Sequence, residues 1–143
     1  MQRRTFLKQS CGACAAIGLG FIFGSGILES CASTGLSVLK TSANNGTVSI
    51  PLDSFATDNF KLLRVSDYSY DIALKKETDG TFTALLMKCT HAGQAVTKAG
   101  SGYYCTLHGS KFAADGSVLK GPASEPMIHL KTEIVDTNLI ITL

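Results

Sequence analysis

The sequence predicts an all-β body, an antiparallel sandwich or small barrel of about 110 residues. Three observations point there. Short segments rich in β-branched and aromatic residues follow one another beyond residue 47. Clusters of Asp, Gly, Asn and Thr separate them, and no stretch of the body keeps the 3.6-residue period of an amphipathic helix. Val48 to Leu52 and Phe60 to Val65 read as the first strands. Ser69 to Lys75 and Phe82 to Lys88 flank Thr78-Asp79-Gly80, a hairpin turn. Lys111 to Ala113 and Val118 to Lys120 flank Asp115-Gly116, and Met127 to Val135 and Leu139 to Leu143 flank Asp136-Thr137-Asn138. No internal repeat is visible.

Composition bounds what such a body can do. A chain of 143 residues holds one domain, and 45% hydrophobic with 17% charged residues makes it globular rather than disordered. A large multidomain enzyme is excluded. The net charge of +2 is concentrated at the start, in Arg3, Arg4 and Lys8; beyond Cys31 there are 10 basic and 10 acidic residues. A neutral body gives no electrostatic case for nucleic acid. Residues 32–47, rich in Ser, Thr, Gly and Asn with Asn44-Asn45-Gly46 in a row, read as a flexible linker. The expected organisation is a leader over 1–31, this linker over 32–47 and the β domain over 48–143.

Within the leader, a basic head precedes 18 uncharged residues from Cys11 to Leu28, five of them Gly. That is the order of a secretory signal. Arg3-Arg4-Thr5-Phe6-Leu7-Lys8 resembles the twin-arginine export motif, with Gln2 where Ser or Thr is more usual. That route carries folded proteins, which suits one that takes up a cofactor before export. Three fates stay open: cleavage, retention as a membrane anchor, or lipidation of Cys31, since Leu28-Glu29-Ser30-Cys31 resembles a bacterial lipoprotein site with an unusual Glu29. Each puts the body outside the cytoplasm. Cys11 and Cys14 form a C-x-x-C, but inside an uncharged export run they read as small apolar residues.

The chemistry lies in the body. Cys89-Thr90-His91 gives C-x-H and Cys105-Thr106-Leu107-His108 gives C-x-x-H, with 13 residues between the pairs. Thiolate and imidazole suit iron or zinc. Zinc motifs usually draw like ligands from each short segment, whereas each pair here mixes one Cys with one His. That mixture suits two sulfide-bridged irons, with both thiolates on one and both imidazoles on the other. A structural zinc-binding interaction domain is the alternative, and it would be colourless where an iron–sulfur protein is brown.

With these residues in place the chain resembles the Rieske iron–sulfur family. Gly109-Ser110-Lys111-Phe112 and Asp115-Gly116-Ser117-Val118 look like the second cluster loop and its continuation, and Gly121-Pro122-Ala123 is similar to the proline loop that covers the cluster. The resemblance runs from about Val48 to Leu143. It implies a Rieske-type β-sandwich with a cluster-binding loop subdomain and one [2Fe–2S] cluster. Cys89 and Cys105 would bind one iron, and His91 and His108 the other.

The departures are informative. Quinol-oxidising members link the two loops by a disulfide whose cysteines would stand at Gln94 and Leu107, so this chain lacks the bond. Its absence is similar to the low-potential ferredoxins, and packing around Leu107 would have to hold the loops instead. The spacer between ligand pairs is shorter than usual in the family. Ser110 stands where a hydroxyl donates to a bridging sulfide, and Phe112 where high-potential members have a Tyr donating to a ligand sulfur. One donor kept and one lost implies a potential between the two classes, within roughly −150 to +300 mV.

The resemblance implies a one-electron carrier on the periplasmic side of a bacterial inner membrane, tethered by its N-terminal segment or a lipid. Its partners would be a cytochrome, a quinol-oxidising complex or the large subunit of a molybdenum enzyme such as arsenite oxidase; a freestanding ferredoxin is the third version. The edge of His91 or His108 would be the electron port. A terminal oxygenase needs a further iron on two histidines and a carboxylate in a larger domain. Of the remaining candidates, one of Tyr103 and Tyr104 is expected to face the core, and His129 reads as a strand residue rather than a ligand.

Overall fold

The computed structural model describes residues 35–143. Arg3, Arg4, Cys11, Cys14 and Cys31, and with them every expectation about the leader, lie outside the described residues. Among the described residues no helix is long and apolar enough to cross a membrane.

The strands, in chain order, are β1 (Val38–Ser42), β2 (Thr47–Pro51), β3 (Phe60–Ser66), β4 (Ile72–Lys76), β5 (Phe82–Leu86), β6 (Thr97–Ala99), β7 (Gly102–Tyr104), β8 (Lys111–Phe112), β9 (Val118–Lys120), β10 (Thr132–Val135) and β11 (Asn138–Thr142). A single 3-10 turn, Leu52–Phe55, follows β2. They form three sheets, in the orders β1-β3-β4-β5, β10-β11-β2 and β6-β7-β8-β9.

The first sheet is the middle layer, because alternation along its strands sends apolar side chains both ways. Leu63, Val65, Ile72, Leu74, Ala84 and Leu86 meet Val48, Ile50, Leu139 and Ile141 of the second sheet. Leu62, Ala73 and Leu85 point the other way, with Met87, into a core shared with Cys89, Tyr103, Cys105, Phe112 and Met127. A strand buried on both faces reads as a continuous apolar run, which is what Ile72-Ala73-Leu74 and Ala84-Leu85-Leu86 are. Removing one such side chain from water contributes about 1.5–3 kcal/mol. The cluster-binding subdomain is therefore seated on this sheet by hydrophobic burial.

All three expected hairpins form. Asp79 Oδ1 accepts the Thr81 N–H at 2.9 Å and its hydroxyl at 2.7 Å, and Asp115 does the same for Ser117 at 3.0 and 2.7 Å. Gly80 and Gly116 supply φ of +86° in both turns. The last hairpin turns on Asp136 and Thr137 alone, with Asn138 already opposite Val135.

The linker expectation fails for its second half. Val38–Ser42 is a strand, and it runs parallel to β3 from Val38 opposite Leu62 to Ser42 opposite Ser66, where every other pairing is antiparallel. Leu39 packs against the first core while Val38 and Lys40 face outward. Asn45 (φ +49°) and Gly46 (φ +75°) make a tight turn, closed by Asn44 N–H to Thr47 O at 2.8 Å and Thr47 N–H to Asn44 O at 3.0 Å.

Candidate metal centre

The two candidate loops leave different sheets, the first from the middle layer and the second from the sheet β6-β7-β8-β9. The chain runs out of β5 through Met87 and Lys88 into Cys89, and out of β7 directly into Cys105. Each loop is closed by the same two hydrogen bonds. The Cys89 N–H donates to Gln94 O at 2.7 Å and the Gly93 N–H to Cys89 O at 2.9 Å. The Cys105 N–H donates to Ser110 O at 2.9 Å and the Gly109 N–H to Cys105 O at 3.0 Å. The turn needs a positive φ four residues after each cysteine, and glycine supplies it: Gly93 at +69°, Gly109 at +83°.

This frame sorts the donors by type. Cys89 and Cys105 are 1% exposed at the floor of the site. His91 and His108 stand above them, exposed to solvent. Their Nδ1 atoms face each other at 3.1 Å, the rings 4.9 Å apart and inclined at 77°. With ligand bonds of about 2.1 Å, that separation suits two imidazoles meeting on one metal. Burial pushes the Cys89 thiol up, but the His91 N–H, the Cys105 thiol, the Ser110 hydroxyl and the Ala92 N–H together outweigh it and leave the group below its ordinary value. A buried thiol held toward its thiolate is a ready ligand for a soft metal. Among the described residues, no three His, Cys, Asp or Glu side chains converge on one point as a single ion requires. Thiols paired below and imidazoles paired above fit a two-iron cluster.

The surrounding residues fall into two kinds. Ser110 is fully buried, and its hydroxyl oxygen accepts the Ala123 N–H at 3.0 Å, which leaves its proton for the sulfur beside it. Phe112 is buried against the same core and, with no hydroxyl, offers no donor. Of the Gly121-Pro122-Ala123 segment, Ala123 is the buried member and Pro122 is exposed. Leu107 corrects an expectation: at 53% exposed it packs nothing into place. The loops are held instead by polar ties from other elements. Tyr70 donates its hydroxyl to Gly93 O at 2.6 Å and Thr90 donates to Glu125 O at 2.6 Å.

Nothing in the sequence signals the ties made by Tyr70 and Thr90, whereas Ala123 belongs to the segment read as covering the cluster. Tyr103 is the tyrosine that faces the core, at 3% exposed, and burial followed by the charge of Glu77 pushes its phenol up to about 12. His129 is exposed, bridged to Leu85 and not part of the site.

Comparison with known proteins agrees with this geometry. The chain is 28% identical over 81 residues to a cytochrome b6-f complex iron-sulfur subunit of Chlorobaculum thiosulfatiphilum, a match covering 55% of this chain and 45% of that protein. It is 33% identical over 60 residues to cytochrome b6-f complex iron-sulfur subunit 3 of a Nostoc species, covering 41% and 34%. The chain thus spans less than half the length of these curated relatives. Its fold is similar to that of the plasma membrane Rieske protein PetC3 from Synechocystis, with a TM-score of 0.54 and 23% identity over 67% of this chain and 99% of that one. Residues 51–136 match the Rieske [2Fe-2S] domain model. Shared backbone frame, buried thiols, facing imidazoles and family match lead to one statement: the chain belongs to the Rieske [2Fe-2S] domain family and carries a cluster of that type.

Proposed function

We propose that the protein passes single electrons between a donor and an acceptor, as the exported iron–sulfur subunit of a membrane-associated or periplasmic oxidoreductase. One observation carries this reading: the two imidazoles face each other at 3.1 Å on an exposed tip, above two thiols that solvent does not reach. Cys89 and Cys105 hold one iron and His91 and His108 the other. The cluster supplies a one-electron couple near the surface. The chain's own part is to seal the sulfur side with Phe112, Tyr103 and Ala123 and to present a histidine edge to the partner. Ser110 donates to sulfur and raises the potential; Phe112 forgoes the second donor, which keeps it moderate.

The relatives named as cytochrome b6-f iron-sulfur subunits favour a partner complex that oxidises quinol. The twin-arginine motif at Arg3 and Arg4 favours export of the folded, loaded protein, with a lipid on Cys31 or the leader itself as tether. The absent inter-loop disulfide favours the small subunit of a molybdenum enzyme, or a freestanding carrier, as the second version.

An EPR-monitored redox titration of the full chain tests the reading. The expected result is a rhombic [2Fe–2S] signal on reduction. A midpoint that falls as pH rises supports the quinol-linked version, and a low, pH-independent one supports the ferredoxin version. One zinc per chain and no signal would overturn electron transfer altogether.

A further inference from the structure

The charges of this body are segregated although their sum is zero. Between Met87 and Met127 stand four lysines and two acids, while the rest of the described body carries six bases and eight acids. The lysines are not spread evenly either. Lys111 on β8 lies directly opposite Lys120 on β9, and Lys111 in turn lies opposite Tyr104 on β7. Like charges directly opposite across a sheet destabilise it. Among the described residues neither lysine has an acidic partner within ion-pair distance.

Both lysines rim a groove of about 640 Å³ that also takes in Tyr104, Gly109, Ala114 and Leu119, with no acidic residue in its lining. Leu119 is 68% exposed there, the most exposed of the large apolar side chains among the described residues. Gly109 puts one end of the groove beside His108. The two acids of this subdomain lie elsewhere. Asp115 is engaged by Ser117 in its turn, and Glu125 lines a separate groove of about 410 Å³ with Lys88 and His91. The first loop's side of the cluster is therefore balanced, and the second loop's side is not.

From this asymmetry we propose that the Lys111–Lys120 groove is the docking face for an acidic redox protein, whose carboxylates meet the two ammonium groups around an apolar contact on Leu119. The inference rests on the electron-transfer reading above and deepens it. Docking here brings the partner's own one-electron centre to the His108 side of the cluster. One electron crosses, and no bond is made or broken. The uncompensated lysine pair is what one face of such a complex needs in order to steer its partner.

The test uses the loaded full-length protein, reduced, in a stopped-flow instrument with hexacyanoferrate(III) and, separately, tris(phenanthroline)cobalt(III) as oxidants. In Lys111→Glu/Lys120→Glu, oxidation by the anion should slow about tenfold at low salt and oxidation by the cation should quicken, both effects collapsing in 0.5 M salt at a Debye length of about 4 Å. That variant keeps a like-charged pair across the strands, so sheet stability is not what changes. The control Lys40→Glu/Lys131→Glu alters net charge equally on exposed positions of the base, and its rates should move less than twofold. Equal effects from both variants would overturn the proposal. A decaglutamate peptide should protect the wild-type protein from hexacyanoferrate(III) and fail to protect Lys111→Glu/Lys120→Glu. Equal protection by citrate at the same carboxylate concentration would assign the groove to a small organic anion and overturn the protein partner. The cluster's visible spectrum, recorded first, separates the two readings: its absence from the wild-type protein would defeat electron transfer itself.

Discussion

Loop one, Cys89–Gln94, and loop two, Cys105–Ser110, are closed by the same two backbone hydrogen bonds, yet what clamps them to the body differs in kind. Loop one is tied from outside, by the Tyr70 hydroxyl on Gly93 and by its own Thr90 on Glu125. Loop two is tied from within, by Ser110 buried between Ala123 and the Cys89 sulfur of loop one. The histidine comes two residues after the cysteine in one and three in the other, on the same frame. A shared turn thus fixes where the cysteines sit, and side chains decide how firmly each loop is held and what the Cys89 sulfur feels.

Breaking the symmetric part should cost most. Cys89→Ser and Cys105→Ser should each lose the cluster, with iron falling from about two per chain to near zero. Iron and sulfide analysis checks this, and a variant that stayed brown would refute the ligand assignment. Next comes the asymmetric part. Ser110→Ala strands the buried Ala123 N–H and should cost about 1–3 kcal/mol in urea melts and lower the midpoint potential. Thr90→Ala, at a more exposed tie, should cost about 0.5–1.5 kcal/mol and leave the potential where it was. Equal potentials in the two variants would erase the distinction between outer and inner clamps. Gly93→Ala and Gly109→Ala sharpen the comparison from the other side. Neither added methyl meets an atom closer than 3.5 Å, so each variant feels only its positive φ. Both should lose a similar amount, about 1–2 kcal/mol.

The last effect is electrostatic, shows only at high pH and lies just before loop two. Tyr103 keeps its proton to about pH 12 when folded, against an ordinary value of 10.0. Its folded value is the raised one, so its contribution is complete below pH 10 and is lost as pH rises toward 12. Absorbance titration should show a late-ionising tyrosine that is missing from Tyr103→Phe, and stability to urea should decline through that window more steeply than in the variant.

Much of this molecule is legible in its residues, and the reasons are local. Two Asp-Gly turns announce their hairpins because the carboxylate and the positive φ are both written in the sequence. The ligands announce themselves because thiolate and imidazole rarely pair twice by accident. What stays hidden is settled by partners distant in sequence. Val38–Ser42 looks like linker because an edge strand needs only one apolar side: Leu39 and Thr41 face inward, and Val38, Lys40 and Ser42 face out. Asn45-Gly46, a strong turn signal, was absorbed into that polar stretch. The segments β6 and β7 are three residues each and too short to show a period. Leu107 gave no sign of facing solvent, since nothing in a sequence says which apolar residue of a loop is left at the surface.

The parallel strand β1 carries a practical consequence for anyone trimming the chain. Starting the protein at residue 48, where composition places the boundary, would remove the cover from β3 and expose the backbone of Leu62 to Ser66 along a full rim. An uncovered strand of that length, with Leu62, Leu63 and Val65 on it, is a template for joining one molecule to the next. Fragments beginning at 48 should collect in aggregates, and those beginning at 35 should stay single in a sizing column. The unremarkable polar stretch before the domain is its guard against self-association.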